Sequence, residues 1–348
     1  MFNKILVAVF GISLLVIVHE LGHYLAARAF GMRVTRFSIG VGPVLARFRP
    51  KDSPTVFQLS LFPFMAFVQI AGMNPAEDID PNDPELYANK GVIARILTIF
   101  CGPFANYIAA SLMIFGLATT IGWREAAGPA EPMTVIQVHP GSPAQEAGIK
   151  EGDVIREANG QAVRNVEQLI DVTAPRANQP TTYLIEREGQ ALPPMTITPR
   201  DQEGRGVIGV TPKYHFTYRQ LPFVDAAQLA LALPYEMTVT NLMAIADLIE
   251  RRSTEGIKGA VGMGRLIVAQ VDKGIFDTVW ILIAISISLG LFNLFPLPAM
   301  DGGRLLFLIY EVVTRRRPNE RIEATVHMVG LLFFFCVIVL VTWRDITG

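Results

Sequence analysis

Residues 2–30 read FNKILVAVFGISLLVIVHELGHYLAARAF, a long apolar stretch that ends around two histidines separated by three residues. On a helix, His19 and His23 lie on one face, so both imidazoles can reach a single metal ion. Glu20 projects beside them, where it is placed to act as a general base. Ionisable residues are costly at membrane depth and usually mark function there. The stretch therefore predicts a membrane helix that carries two ligands of a metal site.

The composition of the whole chain agrees with a membrane protein. Of its 348 residues, 51% are hydrophobic and only 18% are charged, which is too apolar for an ordinary soluble domain. With a net charge of −1, the protein has no overall positive charge to attract nucleic acid, so no nucleic-acid partner is expected. No small-residue cleavage site follows the first apolar stretch, and we expect this stretch to be retained as a membrane helix.

Four segments are long and apolar enough to cross a lipid bilayer as helices. They cover residues 5–30, 92–121, 276–296 and 326–343. Loops rich in Lys and Arg usually face the cytoplasm, and two connecting loops carry such residues: Arg33, Arg36, Arg47, Arg49, Lys51 and Lys90 in the first, and Arg304, Arg315, Arg316, Arg317 and Arg321 in the second. The pattern places the N-terminus, the region 122–275 and the C-terminus outside.

The segments between the spans predict a β-hairpin and an inserted domain. Residues 55–72 (TVFQLSLFPFMAFVQIAG) favour two short strands around a turn near Pro63. Such a hairpin must be covered by protein or line a water-filled cavity, because exposed strand edges are not tolerated in lipid. Within residues 133–213, the runs TVIQV, DVIREAN, TTYLIER and MTITPR predict strands and VEQLIDVT predicts a helix. Residues 216–275 predict amphipathic helices at the outer interface, or helices packed on the inserted domain.

The predicted fold class is thus a polytopic α-helical membrane protein with four transmembrane helices, a membrane-associated β-hairpin and an inserted extracytoplasmic α+β domain. Its predicted divisions are an N-terminal membrane half (1–121), the inserted domain (122–215), an interfacial linker (216–275) and a C-terminal membrane half (276–348).

A second group of functional residues closes the third span, where residues 293–303 read NLFPLPAMDGG. Pro296 and Pro298 break the helix, and the paired glycines permit a tight backbone. Asp301 is therefore expected near the inner interface, at the depth of the two histidines. A catalytic zinc site needs a third protein ligand and an open fourth position, and Asp301 is the best candidate. The alternative is a plain interfacial turn.

Together, HELGH and NLFPLPAMDGG resemble the motifs of the site-2 protease family of intramembrane zinc metalloproteases. The resemblance implies that His19, His23 and Asp301 hold zinc, that Glu20 is the catalytic base, and that Asn293 lies near the substrate. It also suggests substrate contacts from Phe67, Asn106 and Pro296. Asn106 belongs to a Gly102-Pro103-x-x-Asn106 pattern, for which the alternative interpretation is a Gly-Pro kink.

The inserted region resembles a PDZ domain, on residues 139–163 (HPGSPAQEAGIKEGDVIREANGQAV) and 206–210 (GVIGV). PDZ domains bind peptides by β-augmentation, which implies that Gly206, Ile208 and Gly209 line a peptide groove. Alternatively, the domain excludes substrates with bulky outer parts. The remaining histidines are expected at the surface: His139, His215 and His327.

The predicted function is hydrolysis of a peptide bond within or near the transmembrane segment of a single-pass membrane protein, as in anti-sigma factor release. The predicted location is a bacterial inner membrane, with the active site near the cytoplasmic side. A membrane-anchored PDZ scaffold, a zinc peptidase acting on extramembrane peptides and a metal transporter remain alternatives. Two positions depart from the family pattern. Met65–Ala66 stand where the family has paired glycines, and Ala260 stands where the family has the proline of a Gly-Pro pair.

Overall fold

A computed structural model describes residues 2–73, 80, 82–251 and 260–347. The chain forms two compact units, Met1–Ile121 with Leu221–Gly348, and Gly122–Gln220. The elements in chain order are α1 (Phe2–Ala29), β1 (Val34–Phe48), β2 (Val56–Ile70), α2 (Val92–Thr120), β3 (Trp123–Pro129), β4 (Val135–Val138), α3 (Pro143–Glu146), β5 (Val154–Ala158), β6 (Gln161–Ala162), α4 (Val166–Thr173), β7 (Thr181–Arg187), β8 (Gln190–Ala191), β9 (Met195–Ile197), β10 (Arg200–Gln202), β11 (Arg205–Val207), β12 (Val210–Pro212), β13 (Tyr214–Arg219), α5 (Phe223–Arg251), α6 (Ala260–Lys273), α7 (Ile275–Leu294), α8 (Asp301–Thr314) and α9 (Glu320–Thr347).

Apolar helices dominate the first unit, as the composition predicts. Within the described residues, five helical segments are long and apolar enough to cross a membrane: Asn3–Ala29, Val92–Thr120, Phe223–Glu250, Ile275–Asn293 and Arg321–Asp345. The sequence predicts four, and the additional candidate is Phe223–Glu250, in the region predicted to hold interfacial helices. It is the least apolar of the five. Ala260 opens α6, whereas the neighbouring Gly259 lies outside the described residues.

The predicted hairpin within residues 55–72 is wrong in its pairing. The segment forms one long strand, β2, which pairs antiparallel with β1 rather than folding back on itself. Residues 66–70 pair with 34–39, residues 57–60 pair with 44–48, and residues 56–59 also pair with 36–39. Pro63 lies between the two paired halves because proline has no N–H to donate to a ladder. The pairing therefore extends from Val34 to Ile70, about twice the predicted length, and residues 36–39 of β1 lie between the two halves of β2.

The hairpin packs on the end of α1 that carries the two histidines. Met32 and Val34 are fully buried and cluster with Ala27 of α1 and Ile70 of β2. The ring of Tyr24 makes edge-to-face contacts with Phe37 and Phe57, with centroids 5.7 Å apart in each case, a favourable geometry for aromatic pairs. This packing holds β2 beside residues 19–24 of α1.

The second unit is rich in short strands, and the strands and helix predicted for residues 133–213 all form. Its main sheet has the order β6-β5-β7-β8, with β9 also paired to β7. Tyr183 of β7 is fully buried, and its hydroxyl lies 3.1 Å from Thr173 Oγ1 of α4. The unit ends at residue 220 instead of the predicted 215, because β13 pairs with β3 where the chain enters.

A buried carboxylate stabilises the turn before β5. Asp153 is 0% exposed and accepts hydrogen bonds from Arg187 Nε at 2.7 Å and Nη2 at 2.8 Å. The backbone N–H of Lys150 donates to it at 2.8 Å. Burial alone would raise the pKa of Asp153, but these bonds stabilise the carboxylate and hold its pKa below the ordinary value of 3.8.

This bonding predicts a pH-dependent stabilisation of the second unit. Because the pKa is lower in the folded state, the stabilisation is present above about pH 4 and is lost as the pH falls through the folded-state pKa. Asp153→Asn should therefore destabilise the unit by about 1–2 kcal/mol at neutral pH. Amide hydrogen exchange in β5 and β7 of the full-length protein should be faster in the variant at pH 6, and the difference between the two proteins should narrow as the pH falls below about 4. A difference that does not narrow on acidification would contradict the assignment.

Candidate metal centre

The regular period of α1 places His19 and His23 side by side. Their Nε2 atoms are 3.2 Å apart, and the rings meet edge to face. Both side chains are buried, with 7% and 6% exposed. Two ring nitrogens that face one another at this distance, inside the protein, form one side of a metal site.

Asp301 completes the cluster from a distant part of the sequence. Its Oδ2 lies 3.1 Å from His19 Nε2 and 3.3 Å from His23 Nε2. Asp301 stands in the first turn of α8, directly after the turn formed by residues 295–300. A Cβ at Gly302 would lie 2.1 Å from the Phe295 carbonyl oxygen, so only glycine permits this close start of the helix.

The three donor atoms fit a zinc ion. Tetrahedral zinc with bonds of about 2.0–2.1 Å separates its ligand atoms by about 3.3–3.4 Å, and the observed separations are 3.1, 3.2 and 3.3 Å. Asp301 Oδ2 is buried and makes no hydrogen bond to any other described group, as expected for an atom reserved for a cation. Two histidines and one carboxylate leave the fourth position open, as in catalytic sites.

Each histidine is oriented by a group on α2 that contacts its other ring nitrogen. His23 Nδ1 lies 2.9 Å from the carbonyl oxygen of Thr98, which accepts its proton and leaves Nε2 free to bind a metal. His19 Nδ1 lies 3.0 Å from Nδ2 of Asn106, while Oδ1 of the same amide is buried without a partner. Turning the amide by 180° lets Oδ1 accept a hydrogen bond from His19 Nδ1–H.

Asn106 thus contacts a predicted metal ligand instead of the predicted substrate. It is 0% exposed, and its backbone carbonyl accepts a hydrogen bond from Ser286 Oγ of α7 at 2.9 Å. A side chain enclosed in this way is not available for substrate binding in this conformation. Its partner could not be found from the sequence, because the register of α2 against α1 is a tertiary feature.

Replacing Asn106 with leucine, which keeps the branched shape at Cγ but has no acceptor, should weaken zinc binding about 10–100-fold by removing the acceptor that orients His19. Zinc affinity can be measured on the purified full-length protein by competition with a chromogenic chelator. Ile108→Leu, at a position 46% exposed on the same helix, is the matched control and should bind zinc normally. An unchanged zinc affinity in Asn106→Leu would show that the amide does not orient His19.

Two glycines allow α1 and α2 to approach closely at the cluster. A Cβ at Gly22 would lie 2.1 Å from the Cys101 carbonyl oxygen, and a Cβ at Gly102 would lie 2.2 Å from His23 Nε2. Pro103 lies inside α2. In the Gly102–Asn106 pattern, Gly102 therefore leaves room for His23 and Asn106 contacts His19, in addition to any kink that Pro103 introduces.

Glu20 lies one residue beyond His19 and is half-buried. Its Oε2 accepts a hydrogen bond from the backbone N–H of Val68 at 2.9 Å, so strand β2 fixes the carboxylate. Phe67 precedes Val68 and is half-buried. Met65 is 50% exposed, and Ala66 is buried and pairs with Ile39 of β1, so the two positions that depart from the family pattern lie in extended strand.

The remaining predicted site residues lie in two places. Asn293 is half-buried and its Nδ2 donates to the Leu289 carbonyl of its own helix at 2.9 Å, whereas Pro296 is exposed. In the second unit, Gly206 and Ile208 are buried and Gly209 is half-buried. A Cβ at Gly206 would lie 2.5 Å from the Thr173 carbonyl oxygen, so this stretch packs directly on the end of α4. Peptide binding there stays a prediction.

Of the three histidines predicted at the surface, two are exposed and one is not. His139 and His215 are exposed, as predicted. His327 is half-buried, and its Nδ1 accepts a hydrogen bond from the Ala299 N–H at 3.0 Å. His327 is less exposed than predicted because the turn before α8 packs against its ring, and it is not among the donor atoms of the cluster.

Comparison with known proteins identifies relatives along the whole chain. The profile of the family described as Peptidase family M50 matches residues 7–337. Metalloprotease MmpA of Caulobacter vibrioides is 29% identical over 379 residues, which covers 97% of this chain and 94% of the relative. A candidate zinc metalloprotease of Nostoc sp. is 29% identical and covers 94% and 92%. Another, from Clostridium perfringens, is 28% identical and covers 98% of each chain.

Two solved structures of PDZ domains are also similar to part of the chain. The PDZ domain of the SdrC-like protein of Listeria monocytogenes is 21% identical with a TM-score of 0.21, and the match covers 24% of this chain and 88% of that domain. The HtrA3 PDZ domain bound to a phage-derived ligand is 18% identical with a TM-score of 0.16, and the match covers 27% and 92%.

Proposed function

This chain belongs to peptidase family M50 and is a zinc metalloprotease, and from that membership we propose that it hydrolyses a peptide bond within or near the transmembrane segment of a membrane protein. One observation carries the proposal. The donor atoms of His19, His23 and Asp301 gather within 4.8 Å of one another, and both histidines stand on a helix long enough to cross a bilayer. A peptidase site built into such a helix favours a substrate that also lies in the membrane.

The residues around the cluster have separate roles in the proposed reaction. When bound, zinc lowers the pKa of a coordinated water and polarises the scissile carbonyl. Glu20 takes a proton from the attacking water and passes a proton to the leaving amine. Asn293 donates to the substrate carbonyl oxygen or backbone once its amide leaves the Leu289 carbonyl, a contact worth about 3 kcal/mol in comparable sites.

Strand β2 supports presentation of an extended substrate beside Glu20. A helical substrate hides its amides in internal hydrogen bonds and must unwind before attack. Val68 pairs with Phe37 of β1, yet its N–H donates to Glu20, so that N–H points away from β1. In an antiparallel ladder, alternate residues direct their N–H and C=O groups to opposite edges. The outer edge of residues 66–70 thus lies next to the catalytic carboxylate and suits β-augmentation by an unwound segment.

The cellular setting proposed here follows from charge and composition. The Arg-rich loops at both sides of the cluster favour a site near the cytoplasmic face, with residues 122–220 outside. The relatives named above are bacterial, which supports an inner-membrane location. We propose single-pass membrane proteins, such as anti-sigma factors, as substrates. The second unit, proposed to be a PDZ domain, binds the extracytoplasmic ends of these substrates or excludes substrates with bulky extracytoplasmic domains.

The test compares two reporters in liposomes that contain the purified full-length protein. One reporter carries the cleavable sequence inside its transmembrane segment, and the other carries the same sequence displaced into the aqueous phase by a flexible linker. We expect cleavage of the embedded sequence alone, with none in liposomes that contain Glu20→Gln. Equal cleavage of both reporters would favour a peptidase of extramembrane peptides, and zinc binding without cleavage of either would favour a scaffold.

A further inference from the structure

We propose that His327 of α9 is a positioning residue that holds the turn carrying Asp301 in the geometry needed to bind zinc. The inference rests on the proposed ligation of zinc by Asp301. It concerns a residue outside both sequence motifs, on a helix that contributes no ligand to the cluster.

The turn before Asp301 contains a backbone conformation that its side chain does not favour. Ala299 has φ = 68°, in the left-handed region that residues other than glycine rarely adopt. Such a conformation persists only when surrounding contacts impose it. The hydrogen bond from Ala299 N–H to His327 Nδ1, at 3.0 Å, acts on this very peptide unit.

Helix α9 contacts the chain on both sides of Ala299. A Cβ at Gly330 would lie 2.1 Å from Pro298 Cβ, so the helix backbone touches that proline directly. On the other side, a Cβ at Gly303 would lie 3.3 Å from His327 Cε1. His327 and Gly330 are three residues apart and therefore lie on one face of α9.

This contact is separate from the packing of the other end of α9, where Asp345 accepts a hydrogen bond from the Gly262 N–H of α6 at 2.8 Å. Among the described residues of the helix, Gly330 is the one that is buried, and residues 331–340 between the two contacts are nearly all exposed. The ring of His327 also packs on Phe307 of α8, with centroids 5.9 Å apart. His327 thus connects α9 to α8 immediately after the turn.

The geometry of Asp301 depends on the backbone that carries it. Among the described groups, Asp301 Oδ2 contacts the two histidine nitrogens and has no further hydrogen bond to fix its position. Ala299 lies two residues before Asp301. If Ala299 relaxes to an ordinary φ, the first turn of α8 shifts and Oδ2 moves away from the histidines. A displaced third ligand speeds zinc loss without unfolding the protein.

Three substitutions of His327 separate the hydrogen bond from simple packing. In asparagine, Oδ1 occupies nearly the place of Nδ1 and can accept from Ala299 N–H. In glutamine, the acceptor lies nearer the place of Nε2, and leucine has no acceptor. We expect zinc release from the full-length protein into excess chelator to be about 10-fold faster for His327→Leu and His327→Gln, and close to wild type for His327→Asn.

A second-site variant tests the strain directly. Glycine adopts a positive φ without strain, so Ala299→Gly should restore slow zinc release in the His327→Leu background. Met328→Leu, at a position 65% exposed on the same helix, is the matched control and should release zinc at the wild-type rate. The proposal is wrong if His327→Leu releases zinc as slowly as wild type, if His327→Asn is no better than His327→Leu, or if Ala299→Gly gives no restoration. Wild-type protein that binds no zinc would instead overturn the proposed function.

Discussion

Replacing Gly102 with alanine is expected to abolish zinc binding and proteolysis. The added Cβ would lie 2.2 Å from His23 Nε2 and 2.3 Å from His23 Cε1, where carbon contacts normally begin near 3.4 Å. The imidazole cannot swing away easily, because its Nδ1 is bonded to the Thr98 carbonyl on the same helix as Gly102. Zinc content of the purified protein should fall from about one ion per chain to near zero.

A second glycine of α2 provides the matched control for this prediction. Gly116 lies in the same helix, and a Cβ added there would meet no neighbouring atom within 4 Å, so Gly116→Ala encounters no obstacle. Alanine favours the helix over glycine by about 1 kcal/mol, and zinc content should be unchanged. Full zinc occupancy in Gly102→Ala would mean that His23 Nε2 does not face α2, and the arrangement of the cluster would be refuted.

The part of the site that follows helical periodicity could be predicted from the sequence. His19 and His23 must share a face once residues 2–29 form a helix, because four residues make about one turn. Asp301 could be placed beside them by its depth in the membrane, because each motif lies at the end of an apolar segment next to an Arg-rich loop. These arguments need no knowledge of how the helices pack.

Contacts that depend on the register between elements could not be predicted in the same way. The hydrogen bond between Asn106 and His19 depends on how far α1 and α2 are shifted along one another, and the periodicity of a single sequence does not determine that shift. The partner of β2 was missed because a run of apolar residues around Pro63 favours a local turn as well as a long interrupted strand. His327 was missed for a related reason: its partner is a backbone N–H, which leaves no signal in the sequence.

Replacing Glu20 with glutamine is expected to abolish cleavage of a membrane-embedded reporter while zinc stays bound. Glutamine keeps the length of the side chain and an oxygen that can accept from Val68 N–H, so β2 should stay in place. It cannot accept a proton from water at neutral pH. Loss of a general base typically lowers the rate about 10²–10⁴-fold, which would put cleavage below detection in most reporter assays.

The retention of zinc separates this prediction from loss of structure. Glu20 lies outside the group of donor atoms that meet at the cluster, so Glu20→Gln should bind as much zinc as the wild type. Glu20→Leu removes the acceptor for Val68 as well, and should disturb β2 in addition to catalysis. Glu151→Gln, at an exposed position of the second unit, controls for the loss of one carboxylate and should cleave normally. Cleavage by Glu20→Gln at the wild-type rate would remove Glu20 from the reaction, and another group would then have to accept the proton.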